Sequence, residues 1–263
     1  VSWWGDFRRA LNAERLKIRR TLALWLVSVL PAAPAGLQLL LYLNGSNVAP
    51  GRVDPWLWLS YSVMLIWNMA LLPLFVALET GLVAGIEHGA DGWKHLFTLP
   101  VRRGPVYCAK IAMAAALVMA AHVMLCFWTC ITGAALAAFR PGLGFTWVPP
   151  VELLFFAGAS FAGTWLMLSI HAWISLRWSS LVLNMGIVIM ALVVNLSLVD
   201  SDLRRYYPWF IPAELTSGIL KQLLEQATLA VPENAVPSLL TSLLGGTVVM
   251  LAAVLMLGRR DIY

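Results

Sequence analysis

Charge is what this sequence has least of. Only 12% of its 263 residues are Asp, Glu, Lys or Arg, while 60% are hydrophobic and the mean hydropathy is +0.80. Soluble domains carry about 25% charged residues, so water is excluded as the main solvent of this chain. Cysteine is scarce as well. Cys108, Cys126 and Cys130 all lie in or at the mouth of one apolar run, which makes neither a disulfide framework nor a paired CxxC metal motif. Also missing are the GxxxxGKS/T phosphate loop, GxSxG, HExxH and a dinucleotide fingerprint. No catalytic residue, resident cofactor or metal is therefore expected, and ATP hydrolysis is not expected of this chain itself. Its basic start is too long, and the apolar run behind it too extended, to read as a cleaved signal peptide.

What the sequence does have is long apolar runs. A bilayer core needs about 20 apolar residues in a helix, and six segments qualify: 22–43, 56–78, 111–139, 153–176, 180–199 and 236–257. The expected fold is an all-α integral membrane protein, one transmembrane domain over 1–263, with six transmembrane helices behind an N-terminal interfacial amphipathic helix at 3–20. Pro31, Pro34 and Pro73 fall inside runs, where neighbouring helices can satisfy the backbone groups they free. The third run is long enough to tilt or to project from the membrane.

The net charge of +5 belongs to topology rather than to nucleic acid. Five basic residues, Arg52, Arg140, Arg204, Arg205 and Lys221, fall on one side of the six runs, and the remaining 13 of 18 Lys and Arg fall on the other. The positive-inside rule then places both termini and the segment 79–110 in the cytoplasm, and 200–235 outside. At 100° per residue, Trp4, Phe7, Leu11 and Ile18 share one sector of the first helix, with Asp6, Arg9, Lys17 and Arg20 roughly opposite. That pattern suits a helix lying in the inner interface, or a plain basic anchor. The segment 200–235, with Tyr206, Tyr207, Trp209 and Phe210 near its start and a helical-looking centre at 213–229, reads either as a cap over an exit or as a solvated loop.

Within the expected span limits there is no Asp, Glu, Lys or Arg. Ion-coupled carriers bury such groups, so this absence argues against proton or sodium coupling. The neutral polar residues Asn68, His122, Thr129, Asn184 and Asn195 are candidates for a substrate pathway; the plainer alternative is hydrogen bonding between helices. His122, Cys126 and Cys130 follow one another at i, i+4 and i+8. Imidazole and thiolate suit copper, but at 1.5 Å per residue the ends of this stripe are ~12 Å apart, and a free cysteine is an ordinary packed residue. His88 and His95 flank Asp91 as a second, weak metal candidate.

The segment 79–110 is too polar to span lipid and too apolar for a plain linker. Gly81, Gly85 and Gly89, spaced by four, permit close helix approach. Trp93, Lys94, Leu96 and Phe97 form a short amphipathic turn that Pro100 stops, and a new helix is expected near Pro105. A short rigid element held between two spans can transmit a push from a docked subunit. Three pieces then match a known pattern: the start ALNAERLKIRRT, the loop E-x7-E-x5-WK-x-L-x-TLPVRR-x3-Y-x2-K, and the closing RRDIY. With its six-run layout, the chain resembles the permease subunits of ABC-2-type transporters (type V exporter-like), especially the six-span permeases of bacteriocin (lantibiotic) immunity and bacitracin-type resistance.

The resemblance implies a non-enzymatic permease of the bacterial inner membrane. It implies two ABC ATPase subunits as partners, holding ATP and Mg, and a second six-span permease as homo- or heterodimer partner, with lipid around them. It makes Glu79, Gly85, Glu87, Trp93, Lys94, Leu99 and Pro100 the element that couples to the ATPase. The implied cargo is a peptide, an antibiotic or a lipid-like molecule, exported for self-immunity or resistance. The alternatives are an ABC-2 permease for polysaccharide or cofactor maturation, a membrane redox or metal protein using His122 and the cysteines, and a non-transporting anchor.

Overall fold

The computed structural model describes residues 2–19, 21–45, 49–50, 53–89 and 102–258, with backbone alone for 87–89 and 257–258. Every regular element among the described residues is a helix. The N-terminal helix α1 (Trp3–Ile18) is capped by Ser2, whose hydroxyl accepts from the Gly5 amide. The first expected span is two helices, α2 (Ala23–Val29) and α3 (Ala32–Leu43), joined at Pro31, which cannot continue the bonding ladder.

The second span starts with Asp54 accepting from the Leu57 amide and Pro55 in the first helical position. It runs through α4 (Pro55–Ile66), a π-helical turn (Trp67–Leu71) and α5 (Leu72–Gly89). The π turn precedes Pro73, whose ring would press on the Met69 carbonyl in an ordinary helix; the wider turn relieves that crowding. Next comes α6 (Arg103–Phe139), 37 residues and so about 55 Å long, well beyond a ~30 Å hydrocarbon core.

The remaining helices are α7 (Glu152–Gly163), α8 (Trp165–Arg177), α9 (Leu181–Leu198), α10 (Ile211–Gln226) and α11 (Val236–Gly258). Among the described residues, five helices are long and apolar enough to cross a membrane, and a sixth if α7 and α8, bent by 44°, count as one span. The all-α, multi-span class is thus the class expected from the sequence.

The expected limits change at several places. The run 153–176 is broken at Gly163, where a Cβ would meet Leu215 Cδ1 at 2.9 Å and the Pro212 backbone at 3.1 Å, so α10 packs into the bend. Ser242 of α11 secures the same bend, donating toward the Ala162 and Gly163 carbonyls at 2.8 Å and accepting from the Leu166 amide at 3.3 Å. The segment 200–235 is not a solvated loop. Its helix α10 packs on α7, α4 and α11, with Ile211, Leu215 and Ile219 fully buried.

The polar segment 79–110 is also shorter than expected. Helix α5 continues to Gly89 and α6 begins at Arg103, with Val83 and Ala84 buried beyond Glu79 and Val106 and Tyr107 buried before Lys110. Glu79 and Lys110 thereby lie inside continuous helices. Both stand one residue beyond the expected runs 56–78 and 111–139, which hold no Asp, Glu, Lys or Arg themselves.

Candidate functional site

Two parts of the bundle carry the polar chemistry. The first is the end where α1 meets α5 and α6. Lys110 Nζ donates to both Glu14 carboxylate oxygens at 3.0 Å and lies 3.4 Å from the Val83 carbonyl; Lys17 adds a 2.9 Å bond to Glu14. Glu14 and Lys110 side chains are each only 2% exposed. A charge so placed is tolerable only when paired and hydrogen-bonded, and this pair ties α1 across α6 and α5.

The expected lipid-facing sector of α1 is rotated. Trp4 is exposed and Phe7 and Leu11 are half-buried, but Ile18 is buried against the protein together with Asp6 and Glu14. The reason is electrostatic: the helix turns Glu14 inward to meet Lys110, while Asp6 lies 3.5 Å from Arg9 of the same helix. Trp3, Trp4 and Phe7 remain as an aromatic cluster, with ring centroids 5.4 to 5.9 Å apart, at the outer end of the helix.

Of the coupling residues expected from the sequence, Glu79 is fully buried in α5, and its two carboxylate oxygens have no hydrogen-bond partner among the described residues. It is not on a surface that a docking subunit can touch. Gly85 lines an open groove of about 390 Å³ with Thr21, Gly81, Trp178 and Leu181, between α5, the α1–α2 junction and the α8–α9 turn. A Cβ on Gly81 would come within 2.5 Å of Leu181 Cδ1, so the Leu181 side chain of α9 packs directly on the α5 backbone there. Glu87 lies on the α5 backbone, without a described side chain. Trp93, Lys94, Leu99 and Pro100 lie outside the described residues, as do His95, Arg20 and the closing RRDIY.

The second part is a set of polar side chains between the spans. Asn68, in the π turn, donates to the Pro212 carbonyl at 3.1 Å and to Thr216 at 3.3 Å; Ser160 donates to Asn68 Oδ1 at 2.6 Å and lies 2.9 Å from His122 Nε2. His122 Nδ1 lies 2.8 Å from the Val118 carbonyl. Asn184 donates to the Ala77 carbonyl (2.6 Å), Ser175 (2.8 Å) and Thr80 (3.3 Å), and its Oδ1 is 2.7 Å from His171 Nδ1. Trp209 donates to His171 Nε2 at 2.9 Å, and Asn195 donates to the Trp209 carbonyl at 3.2 Å. Tyr207 donates to the Ala191 carbonyl at 3.2 Å, and burial pushes its phenol above the ordinary value.

Asn68 is thus joined to His122, and Asn184 to Asn195, as two separate chains. Thr129 joins neither: its hydroxyl donates to the Leu125 carbonyl of its own helix at 2.7 Å. Both His122 nitrogens are occupied by neighbours, so a metal bound there would have to displace Val118 or Ser160. Ser160, Thr80, Ser175 and Thr216 went unnoticed in the sequence, where lone hydroxyls carry no pattern; Trp209 was noted only as an aromatic residue of the segment 200–235. The Glu14–Lys110 pair left a trace, since the two residues stand in two of the three matched pieces.

A family model described as ABC-2 family transporter protein matches residues 10–195 of this chain. The chain belongs to the ABC-2 transporter family. That match runs from the second half of α1 through most of α9, so it contains the Glu14–Lys110 pair, the segment between α5 and α6, and His122. No curated protein and no solved structure gives a match. As an ABC-2 member the chain is a multi-pass membrane component of an ABC transporter, and its family associates with an ABC ATPase subunit that carries the hydrolysis.

Proposed function

We propose that this chain is the permease of an ATP-driven exporter, moving a peptide, antibiotic or lipid-like molecule out of the inner leaflet or cytoplasm for self-immunity or resistance. The observation that carries the reading is the buried Lys110–Glu14 pair beside the connection between α5 and α6. It makes one rigid body of α1 and the first turns of α6, so a push on that connection moves helices rather than a slack loop.

In this reading the connection between α5 and α6, with Trp93, Lys94, Leu99 and Pro100, rests on the ATPase, and Gly85 and Glu87 form its approach. Two ATPase subunits bind ATP and Mg and close together. A second six-span permease, a copy of this chain or a relative, completes the pathway, and the lever motion opens it to the outer side. Both termini face the cytoplasm of a bacterium, in agreement with the 13 to 5 split of basic residues. The neutral polar residues between the spans and the exposed aromatic cluster of α1 favour an amphipathic cargo taken from the lipid over a small ion.

Reconstitution with the ATPase and a panel of labelled peptides and lipids tests the reading. ATP-dependent movement of at least one amphipathic member is expected; movement of an oligosaccharide alone would replace the proposed cargo with a polysaccharide.

A further inference from the structure

Two histidines lie between the spans, and their hydrogen-bond chains need different numbers of hydrogens. Around His171 the count closes. Asn184 Nδ2 is 2.6 Å from the Ala77 carbonyl, which can only accept, so the amide orientation is fixed and Oδ1 faces His171 Nδ1. Nδ1 therefore carries a hydrogen. The Trp209 indole, a donor only, points at Nε2, which must be bare. A neutral ring meets both demands.

Around His122 the count does not close. The Val118 carbonyl only accepts, so Nδ1 carries a hydrogen. The Pro212 carbonyl fixes the Asn68 amide with its nitrogen toward α10 and Oδ1 toward Ser160. That 2.6 Å contact uses the single hydrogen of Ser160, whose oxygen can then only accept from His122 Nε2. Both ring nitrogens are asked to donate, and a neutral imidazole has one N–H.

We propose that the Asn68–Ser160–His122 chain is a proton-binding site within the spans, completed by a proton on His122 Nε2. Without that proton, either Ser160 turns to the ring and leaves Asn68, or the ring and Ser160 face each other with lone pairs. The burial of His122 opposes the charge, so the protonated chain competes with a neutral chain that has one contact broken. The residues involved come from four places: the π turn (Asn68), α6 (His122), α7 (Ser160) and α10 (Pro212, Thr216). Proton occupancy therefore sets how firmly α7 is held to α6 and to the π turn, a turn type that recurs at functional sites.

The ring's aromatic neighbours are Trp67 and Phe161, at 6.1 and 6.0 Å between centroids. Titratable groups on the packed elements are Cys126 and Cys130 along α6, with Arg103, Tyr107 and Cys108 near its start, Tyr42 on α3, Tyr61 on α4, Glu79, Glu87 and His88 on α5, Glu152 on α7, His171 and Arg177 on α8, Glu214, Lys221 and Glu225 on α10, and the Glu14–Lys110 pair, which on α6 is ~18 Å away. No carboxylate among the described residues bonds the ring. The protonated site thus takes its stabilisation from the Val118 carbonyl and the Ser160 oxygen.

The test is nitrogen NMR of histidine-labelled full-length chain in lipid nanodiscs, with His88→Gln and His95→Gln leaving only the two buried rings. Between about pH 5 and 8, where histidine changes charge, one ring keeps one bare and one protonated nitrogen throughout. The other shows two protonated nitrogens at the acid end. Asn68→Ala then frees Ser160 to donate to Nε2, and the second N–H signal of that ring is lost over the same range. Two singly protonated rings at every pH would overturn the proposal, as would a doubly protonated ring that persists in Asn68→Ala. Should Asn68→Ala fail to fold, the pH series on the chain with Asn68 intact decides alone.

Discussion

Lys110 and Glu14 lie 96 residues apart in sequence, yet they share two 3.0 Å bonds at a position where both side chains are almost wholly buried. One stands at the start of the longest helix and the other in the helix that precedes the first span. Their pairing converts two ends of separate helices into a single joint, with Lys17 as a half-exposed third member.

That joint gives the first prediction. Removing one partner of a buried pair leaves an uncompensated charge and costs on the order of 3 kcal/mol. Glu14→Gln and Lys110→Met should each lower the unfolding midpoint of the purified chain in detergent. The double variant should lose clearly less than the sum of the two. Additive losses would mean that the two side chains do not act as a pair.

The bend between α7 and α8 gives the second. A Cβ on Gly246 of α11 would come within 2.9 Å of Leu166 N and Trp165 C, both backbone atoms, and these cannot move aside as a side-chain tip can. Gly246→Ala should destabilise by about 1 to 3 kcal/mol, the usual cost of overpacking. Gly186→Ala, where a Cβ meets nothing within 4 Å, should be close to neutral. Denaturant titration of both variants checks the contrast.

Much of this was legible in the sequence. Six apolar runs foretold helices, and Asn68, His122, Asn184 and Asn195 stood out as the polar residues that would matter between them. Their partners did not stand out. Ser160 is a single hydroxyl in an apolar run and Thr80 one just past the end of another, and only the fold brings them to Asn68 and Asn184. Glu79 was read as part of a docking surface, whereas it is a carboxyl tucked between helices in an α5 that runs on past it. The break at Gly163 has no proline to announce it; it comes from α10 and Ser242 pressing on the bend, which are tertiary contacts.

Orientation gives the third prediction. In a background without the native cysteines, a membrane-impermeant thiol reagent added outside intact cells should modify Ser201→Cys and spare Ser179→Cys. The two residues lie on opposite sides of α9, in the loop after it and in the turn before it. Labelling in the reverse pattern would invert the topology that the basic residues dictate.

Docking gives the fourth. A buried aromatic anchor contributes about 2 kcal/mol or more at an interface, close to a 30-fold change in Kd. Trp93→Ala should weaken ATPase association by about that factor, while the chain still inserts into the membrane. Trp147→Ala serves as the control, since that side chain is 70% exposed and belongs to the connection between α6 and α7. Equal affinities for the two variants would remove Trp93 from the docking element.

The central claim is that this chain transmits work done by a separate ATPase. The direct measurement is ATP hydrolysis by the purified chain in liposomes, alone and after co-expression with an ABC ATPase subunit of its own source. Alone it should hydrolyse nothing. With the subunit, a stable complex should form whose hydrolysis and cargo movement survive a protonophore at constant ATP. Failure to form that complex, or cargo movement that stops when the proton gradient collapses although ATP is held constant, would contradict the account.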